Sequence, residues 1–228
     1  MIFVGWGKRR SGASRRKNFK TLIEQNNATV TFLQRNDFSR ALESSILALS
    51  CNRTLLAQGG TANDQSSGCL DECMLVLYTA EHQSAAATSN HTFIYDQAII
   101  IRTTEEGIDS TILTAILVFN AALAHHVLGE QNDCHRSRMR LLMRAKQLYE
   151  LAYESCDLEH NLLFQFALIN NIAVIEREIG NVSTANQCFE YLMSLLIFFV
   201  DQGCDMRLRH VEGFVANIPL TMKNAPAA

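Results

Sequence analysis

Proline is scarce in this sequence of 228 residues: the only two, Pro219 and Pro226, lie near its end. A proline inside a helix removes a backbone hydrogen bond and clashes with the preceding turn. The first two hundred residues therefore contain no residue that must break a helix. This absence favours a helix-rich fold.

Long apolar runs and paired cysteines are also lacking. The densest apolar run, Leu195–Val200, is far shorter than the ~20 residues of a membrane span. The opening stretch Met1–Trp6 is too short for a signal-peptide core, and basic residues follow it instead of preceding it. The seven cysteines are an odd number without paired spacing, which argues against a disulfide framework. We therefore expect a soluble, reduced, intracellular protein, in the cytoplasm rather than the nucleus, with no membrane contact.

Acidic residues are absent from the first twenty positions, which hold seven of the twenty lysines and arginines. The net charge of −3 is thus the sum of +7 in residues 1–20 and −10 in the remainder. We predict a flexible basic arm over residues 1–17, and nucleic acid could bind only through it. The basic residues of the arm are Lys8, Arg9, Arg10, Arg15, Arg16 and Lys17. Their two clusters are closer together than in a usual bipartite nuclear-import signal, so the arm is either an import signal or a solvated tail.

Apolar residues at helical spacing predict helices before residue 50 and after residue 110. Between them, residues 51–108 predict a loop followed by a β-hairpin. The two strand-like runs are Cys73–Thr79 and Thr92–Arg102, of which the first could also be a helix. Because an exposed hairpin edge can pair with another strand, we expect self-association as one outcome.

Three segments share one spacing, in which an asparagine precedes a turn residue by nine positions. The pairs are Asn27 and Asn36, Asn120 and Gly129, and Asn171 and Gly180. An alanine follows the turn residue by five positions at Ala41 and Ala185, whereas the offset to Ala145 in the middle segment is sixteen. We therefore predict about eleven residues inserted between the two middle helices. Such self-similarity is the signature of a helical repeat array.

At these positions the sequence resembles the tetratricopeptide repeat (TPR) family. The stretch NDFSRALESSILAL is similar to the turn and second helix of that repeat, FNAALAHHVLG to its first helix, and LINNIAVIEREIGNVSTANQCFEYL to most of one unit. The resemblance implies a mainly α fold, an antiparallel helix-pair array of about three units with a small β-hairpin insert. Within a single domain, 18–228, the units are about 18–50, 110–156 and 158–201, the insert is 51–108, and a C-terminal cap is 204–228. The chain departs from the family in its irregular repeat spacing and in lacking a proline that closes each repeat.

The resemblance also implies a function. TPR-like arrays bind peptides or proteins in a groove lined by the first helix of each unit, so we expect a non-catalytic interaction module or scaffold. Asn27, Asn120 and Asn171 would stand in that groove. A side-chain amide has both donor and acceptor groups and can pair with the backbone of an extended peptide; the alternative is that it satisfies backbone groups within the array. The basic residues with which chaperone-binding TPR proteins hold a carboxylate are missing, which argues against that subclass.

No pattern in the sequence predicts catalysis, a cofactor or a metal site. His125 and His126 are adjacent, so their side chains diverge by about 100° on a helix. Cys69 and Cys73 lack the second pair that a zinc site needs. Glu176 is predicted to lie at a solvated helix end. The alternative function is that of a nuclear or nucleic-acid-associated regulatory protein acting through the basic arm.

Overall fold

The computed structural model describes residues 12–58, 93–101, 110–155, 162–201 and 208–218. Helices make up most of these residues, which confirms the predicted mainly α class. In chain order the helices are α1 (Gly12–Gln34), α2 (Phe38–Gln58), α3 (Ser110–Glu130), α4 (His135–Ser155), α5 (Leu162–Glu178), α6 (Val182–Asp201) and α7 (Leu208–Asn217). The remaining long segment, residues 93–101, is not helical.

Each helix from α1 to α5 packs on the next one in the chain. Helix α7 joins them through Phe214, whose ring meets that of Phe166 on α5 edge to face. The alanines that the repeat spacing singled out, Ala41, Ala145 and Ala185, are fully buried. Because an alanine side chain ends at its β-carbon, neighbouring helices can approach closely there and leave no void.

The turns after α1 and α5 share one backbone geometry. Asn36 and Gly180 have positive φ angles of 57° and 90°, the left-handed conformation that often follows a helix. After α5, the N–H of Asn181 bonds back to the carbonyl of Glu176 at 2.8 Å, and an equivalent bond closes the turn after α1. Each turn contains three residues, so the second helix of the pair must fold back along the first.

Replacing Gly180 with alanine will lower the free energy of unfolding by about 1–2 kcal/mol, because a residue with a β-carbon is strained in this conformation. Among the described residues other than its two chain neighbours, no atom lies within 4 Å of the position that the β-carbon would take, so the cost is conformational and not steric. Gly180→Asn is the matched variant, since an asparagine adopts the same conformation at position 36, and we expect it to cost less. Urea unfolding of the three proteins measures both effects. An alanine variant as stable as the wild type would contradict the strain.

The connection between α3 and α4 is shorter than predicted. Only residues 131–134 lie between the two helices, so the prediction of about eleven inserted residues was wrong. Most of the extra residues extend α4 at its start instead, since Ala145 lies ten residues after the start of its helix and Ala41 and Ala185 lie three after theirs. Gly129 permits this tight crossing, because a β-carbon there would stand 3.1 Å from Cδ2 of Leu142 on α4.

Glu176 does not lie at a solvated helix end, contrary to the sequence prediction. Its side chain is 3 % exposed, and its Oε1 lies 2.7 Å from Nζ of Lys146 on α4. Its Oε2 accepts a 2.8 Å hydrogen bond from Asn181. The hydrogen bond to Glu176 is the largest cause of the raised pKa of Lys146. The sequence pattern did not reveal this pair because the cation lies on another helix.

Helix α3 has a composition that a membrane span would share. Residues Thr111–Glu130 are long and apolar enough to cross a membrane, but 72 % of the apolar window is buried inside the protein. The helix contacts α1, α2 and α4. A helix with neighbours on several sides is apolar around most of its circumference, so its central place accounts for its composition.

Two predicted boundaries need correction. Helix α1 begins at Gly12, so residues 12–17 of the predicted flexible arm are helical, while residues 1–11 lie outside the described part. Helix α2 continues to Gln58, into the predicted insert.

The predicted β-hairpin is not shown. Its first strand-like run, Cys73–Thr79, lies outside the described residues. Residues 93–101 of the second run have no strand partner in the part of the chain that the structure describes. Their backbone groups bond to helix side chains instead, and this arrangement defines the candidate site.

Candidate peptide-binding groove

Asparagines from four helices bind the backbone of residues 93–101, which we call the groove segment. Each asparagine pairs with both backbone groups of one segment residue, since its Oδ1 accepts from the N–H and its Nδ2 donates to the carbonyl. We call these pairs the amide rungs. From α7 to α1 they join Asn217 to Phe93, Asn171 to Tyr95, Asn120 to Ile99 and Asn27 to Ile101. The eight hydrogen bonds measure 2.7–3.0 Å.

The rungs fall on alternate residues of the segment, with position 97 left out. In an extended chain the N–H and C=O of one residue point to the same edge, and those of the next residue to the opposite edge. The groove segment is therefore extended, and one of its edges meets the amides as it would meet a neighbouring strand. This is why its alternating sequence predicted a strand.

A second set of asparagines holds the rungs in place. At the α1 end, Asn26 donates to a segment carbonyl at 3.0 Å and accepts a 2.9 Å hydrogen bond from Asn120. At the α7 end, Asn170 donates to a segment carbonyl at 3.2 Å and accepts a 2.7 Å hydrogen bond from Asn217. The two ends are thus built alike, and a polar network satisfied in this way fixes its members in one arrangement.

Burial separates three of the rungs from solvent. Asn120, Asn171 and Asn217 are at most 1 % exposed, whereas Asn27 is half-buried. A buried backbone group without a hydrogen-bond partner costs about 1–3 kcal/mol. An extended backbone can therefore enter the buried part of this groove only where amides pair with it.

The side chains of the segment are buried or pack against apolar residues. Tyr95 is 2 % exposed, and its ring stacks on that of Phe214 with centroids 5.7 Å apart. Phe93 meets Phe214 edge to face, also at 5.7 Å. Ile99 and Ile101, whose backbones bond to α3 and α1, are buried. The groove thus holds aromatic side chains at its α7 end and aliphatic ones at its α1 end.

Gly213 on α7 makes room for Phe93. A β-carbon at position 213 would overlap the Phe93 ring. Glycine is unfavourable inside a helix by about 1 kcal/mol relative to alanine, so close packing against the ring is the reason for a glycine here.

Replacing Gly213 with alanine will displace the Phe93 ring and lower the free energy of unfolding by about 1–3 kcal/mol, as at other overpacked sites. Adding Phe93→Ala restores the space, so the double variant should be more stable than the sum of the two single effects predicts. Urea unfolding of the four proteins measures this coupling. Additive effects would show that the ring does not depend on residue 213.

A buried tyrosine and a buried histidine lie behind the Asn171 rung. Nδ2 of Asn171 also donates to the Tyr149 hydroxyl at 3.1 Å, and that hydroxyl lies 3.5 Å from Nδ1 of His126. Burial raises the pKa of Tyr149 above its ordinary value and lowers the pKa of His126 to about 3. Among the described residues, Nε2 of His126 has no hydrogen-bond partner. Both side chains are therefore neutral at pH 7, and a proton on His126 would be costly.

The three asparagines predicted from the sequence, Asn27, Asn120 and Asn171, lie on α1, α3 and α5 and meet on one extended backbone. That backbone belongs to the chain itself. Of the two interpretations that the sequence left open, the structure therefore shows the second, in which the amides satisfy backbone groups of the same chain. Binding of a separate peptide stays a prediction.

Sequence reasoning missed Asn26, Asn170 and Asn217 as groove residues. The doubling of asparagine at 26–27 and 170–171 was an available signal, since adjacent amides can bind a backbone and brace a neighbour. For Asn217 no signal was available, because its spacing to a helix end differs from that of the other three.

The other candidate residues do not join the groove. Lys17 is an exposed residue of α1, and Arg15 and Arg16 belong to the same helix. Five candidates lie outside the described residues: Lys8, Arg9, Arg10, Cys69 and Cys73. Within the described ranges, no group of three or more His, Cys, Asp or Glu residues could hold a metal ion.

Comparison with known proteins gives no match: no family model, no curated protein and no solved structure is similar to the chain.

Proposed function

We propose that this chain is a non-catalytic interaction module that binds an extended peptide or protein segment through the amide rungs. The observation that carries the proposal is that four side-chain amides each bind both backbone groups of one residue in an extended segment. All peptides share these groups. The rungs therefore supply affinity for an extended chain, and the contacts made by the side chains of the bound segment supply selectivity.

The chemistry of the rungs favours a peptide over a nucleic acid. A peptide backbone is neutral and presents donors and acceptors in alternation, which a row of amides complements. Affinity for nucleic acids comes mainly from lysines and arginines on phosphates, and the six asparagines of the groove are uncharged. The basic arm supports the alternative function, but its described residues, 12–17, make none of the rung contacts.

The test needs a protein whose own segment has left the groove. Tyr95→Gly with Ile99→Gly removes two buried side chains of the segment and keeps every rung asparagine; we call this variant the opened protein. The probe is a fluorescein-labelled peptide with the sequence of residues 93–101 and a short lysine tail for solubility. We expect saturable binding, measured by fluorescence anisotropy.

The matched control carries Asn120→Ala and Asn171→Ala in addition. Two rungs are then lost, and we expect binding to weaken more than tenfold, because about 1.4 kcal/mol corresponds to a factor of ten. Circular dichroism verifies that both variants keep the helix content of the wild type. An opened protein with full helix content and no saturable binding would overturn the proposed function.

A further inference from the structure

We propose that the groove segment is a built-in competitor of the ligand, and that the ligand is a segment of another protein with the same side-chain pattern. This inference rests on the proposed function. The pattern has aromatic side chains at its first and third positions and aliphatic ones at its seventh and ninth, which correspond to Phe93, Tyr95, Ile99 and Ile101 of the chain itself.

The four positions of the pattern are those at which the groove both binds the backbone and buries or packs the side chain. Phe93 and Tyr95 pack on Phe214, and Ile99 and Ile101 are at most 4 % exposed. The two ends differ, because Gly213 clears space for an aromatic ring at the first position only. A ligand therefore binds in one orientation, with its amino end at α7.

The centre of the groove is permissive. Asp96 is exposed, and among the described residues no amide binds the backbone of Gln97. The fourth position of a ligand, which corresponds to Asp96, can therefore vary and can be polar, whereas the sixth is buried, as Ala98 is. This centre separates the aromatic and aliphatic halves of the pattern.

Chain length indicates that the groove segment is an occupant and not a connection between helices. Helices α2 and α3 pack directly on each other, yet residues 59–109, 51 in number, separate them. Neighbouring helices need a connection of only about 2–8 residues. The segment could leave the groove while α1–α2, α3–α4 and α5–α6 stay paired.

Competition lowers the apparent affinity for a ligand. When only a fraction of the molecules has an empty groove, the apparent Kd is the intrinsic Kd divided by that fraction. Wild-type protein should therefore bind the labelled peptide at least tenfold more weakly than the opened protein. A second labelled peptide carries the same nine residues in reverse order, and it should bind the opened protein at least tenfold more weakly than the first.

The outcomes separate the two proposals. Equal affinity of the wild type and the opened protein would overturn the competitor, and equal binding of the two peptides would overturn the pattern. No binding by the opened protein would overturn the proposed function itself. A wild-type dimer in sedimentation that Tyr95→Gly and Ile99→Gly abolish would show that a second copy supplies the segment, and would overturn an intramolecular competitor.

If the opened protein loses helix content, a measurement on the wild type alone tests whether the groove segment competes with the peptide. Saturating wild-type protein with unlabelled peptide should accelerate hydrogen exchange at the amides of residues 93–101 and leave the amides of α3 unchanged. Exchange at 93–101 that does not change when peptide binds would overturn the competitor.

Discussion

Replacing Asn171 with alanine will release the groove segment and lower the free energy of unfolding by about 3–5 kcal/mol. The change leaves four buried groups without their amide partner: the N–H and C=O of Tyr95, the hydroxyl of Tyr149 and Nδ2 of Asn170. The last of these keeps its hydrogen bond to a segment carbonyl. Each unsatisfied buried group costs about 1–3 kcal/mol. If the segment leaves the groove, its backbone groups bond to water again, but the contact between Tyr95 and Phe214 is lost. The free energy of this release is the upper limit of the loss in stability. Urea unfolding measures the loss, and hydrogen exchange at residues 93–101 shows the release.

Asn27→Ala is the matched control, because it removes a rung of the same geometry from a less buried place. Water can replace the half-buried amide of Asn27, so we expect a cost of only about 1 kcal/mol. Equal losses in the two variants would contradict the role of burial. Unchanged exchange of the Tyr95 amide in Asn171→Ala would contradict the rung itself.

The groove could be predicted in part from the sequence because its periodic features are local. Asn27, Asn120 and Asn171 each stand nine positions before a residue at or near the end of a helix, which is Asn36, Gly129 or Gly180. This spacing places each asparagine seven to ten positions before the last residue of its helix. The turn residues Asn36 and Gly180 were recognisable for the same reason, since the left-handed conformation is a property of one residue and its neighbours.

The occupant of the groove could not be predicted because its contacts are long-range. Alternation in residues 92–102 showed that the backbone is extended, but an extended backbone can pair with a strand or with side-chain amides. The choice depends on Asn217 and Asn171, more than seventy positions away in sequence. The role of Gly213 could not be predicted either, since a single glycine in a sequence does not indicate which ring packs against it.

The burial and the lowered pKa of His126 could not be predicted from the sequence either. In the sequence it is one of two adjacent histidines, and its neighbour predicts nothing about burial. In the structure it is fully buried, with its ring edge to face against Tyr149 at 5.9 Å. Several helices must pack before this environment exists, so the effect on its pKa follows from tertiary structure alone.

Acid will destabilise the protein through His126. The pKa of this histidine is about 3 in the folded protein against 6.5 when exposed, because burial disfavours the charged ring. Between these values the unfolded chain binds a proton that the folded protein does not, so stability is complete above pH 6.5 and falls as the pH decreases toward 3. The slope approaches about 1.4 kcal/mol per pH unit. Urea unfolding should therefore give a value about 2 kcal/mol lower at pH 5 than at pH 7.5 from this residue alone.

His126→Phe isolates this contribution, because phenylalanine keeps an aromatic ring against Tyr149 and cannot bind a proton. His125, whose pKa is lowered by burial and then by Arg144, also affects stability in acid, so the relevant quantity is the difference between the two proteins. The wild type should lose about 2 kcal/mol more than His126→Phe between pH 7.5 and pH 5. Parallel pH profiles would show that His126 is protonated without unfolding. Since Asn171 binds the Tyr149 hydroxyl beside it, hydrogen exchange at residues 93–101 would then show whether that proton opens the groove.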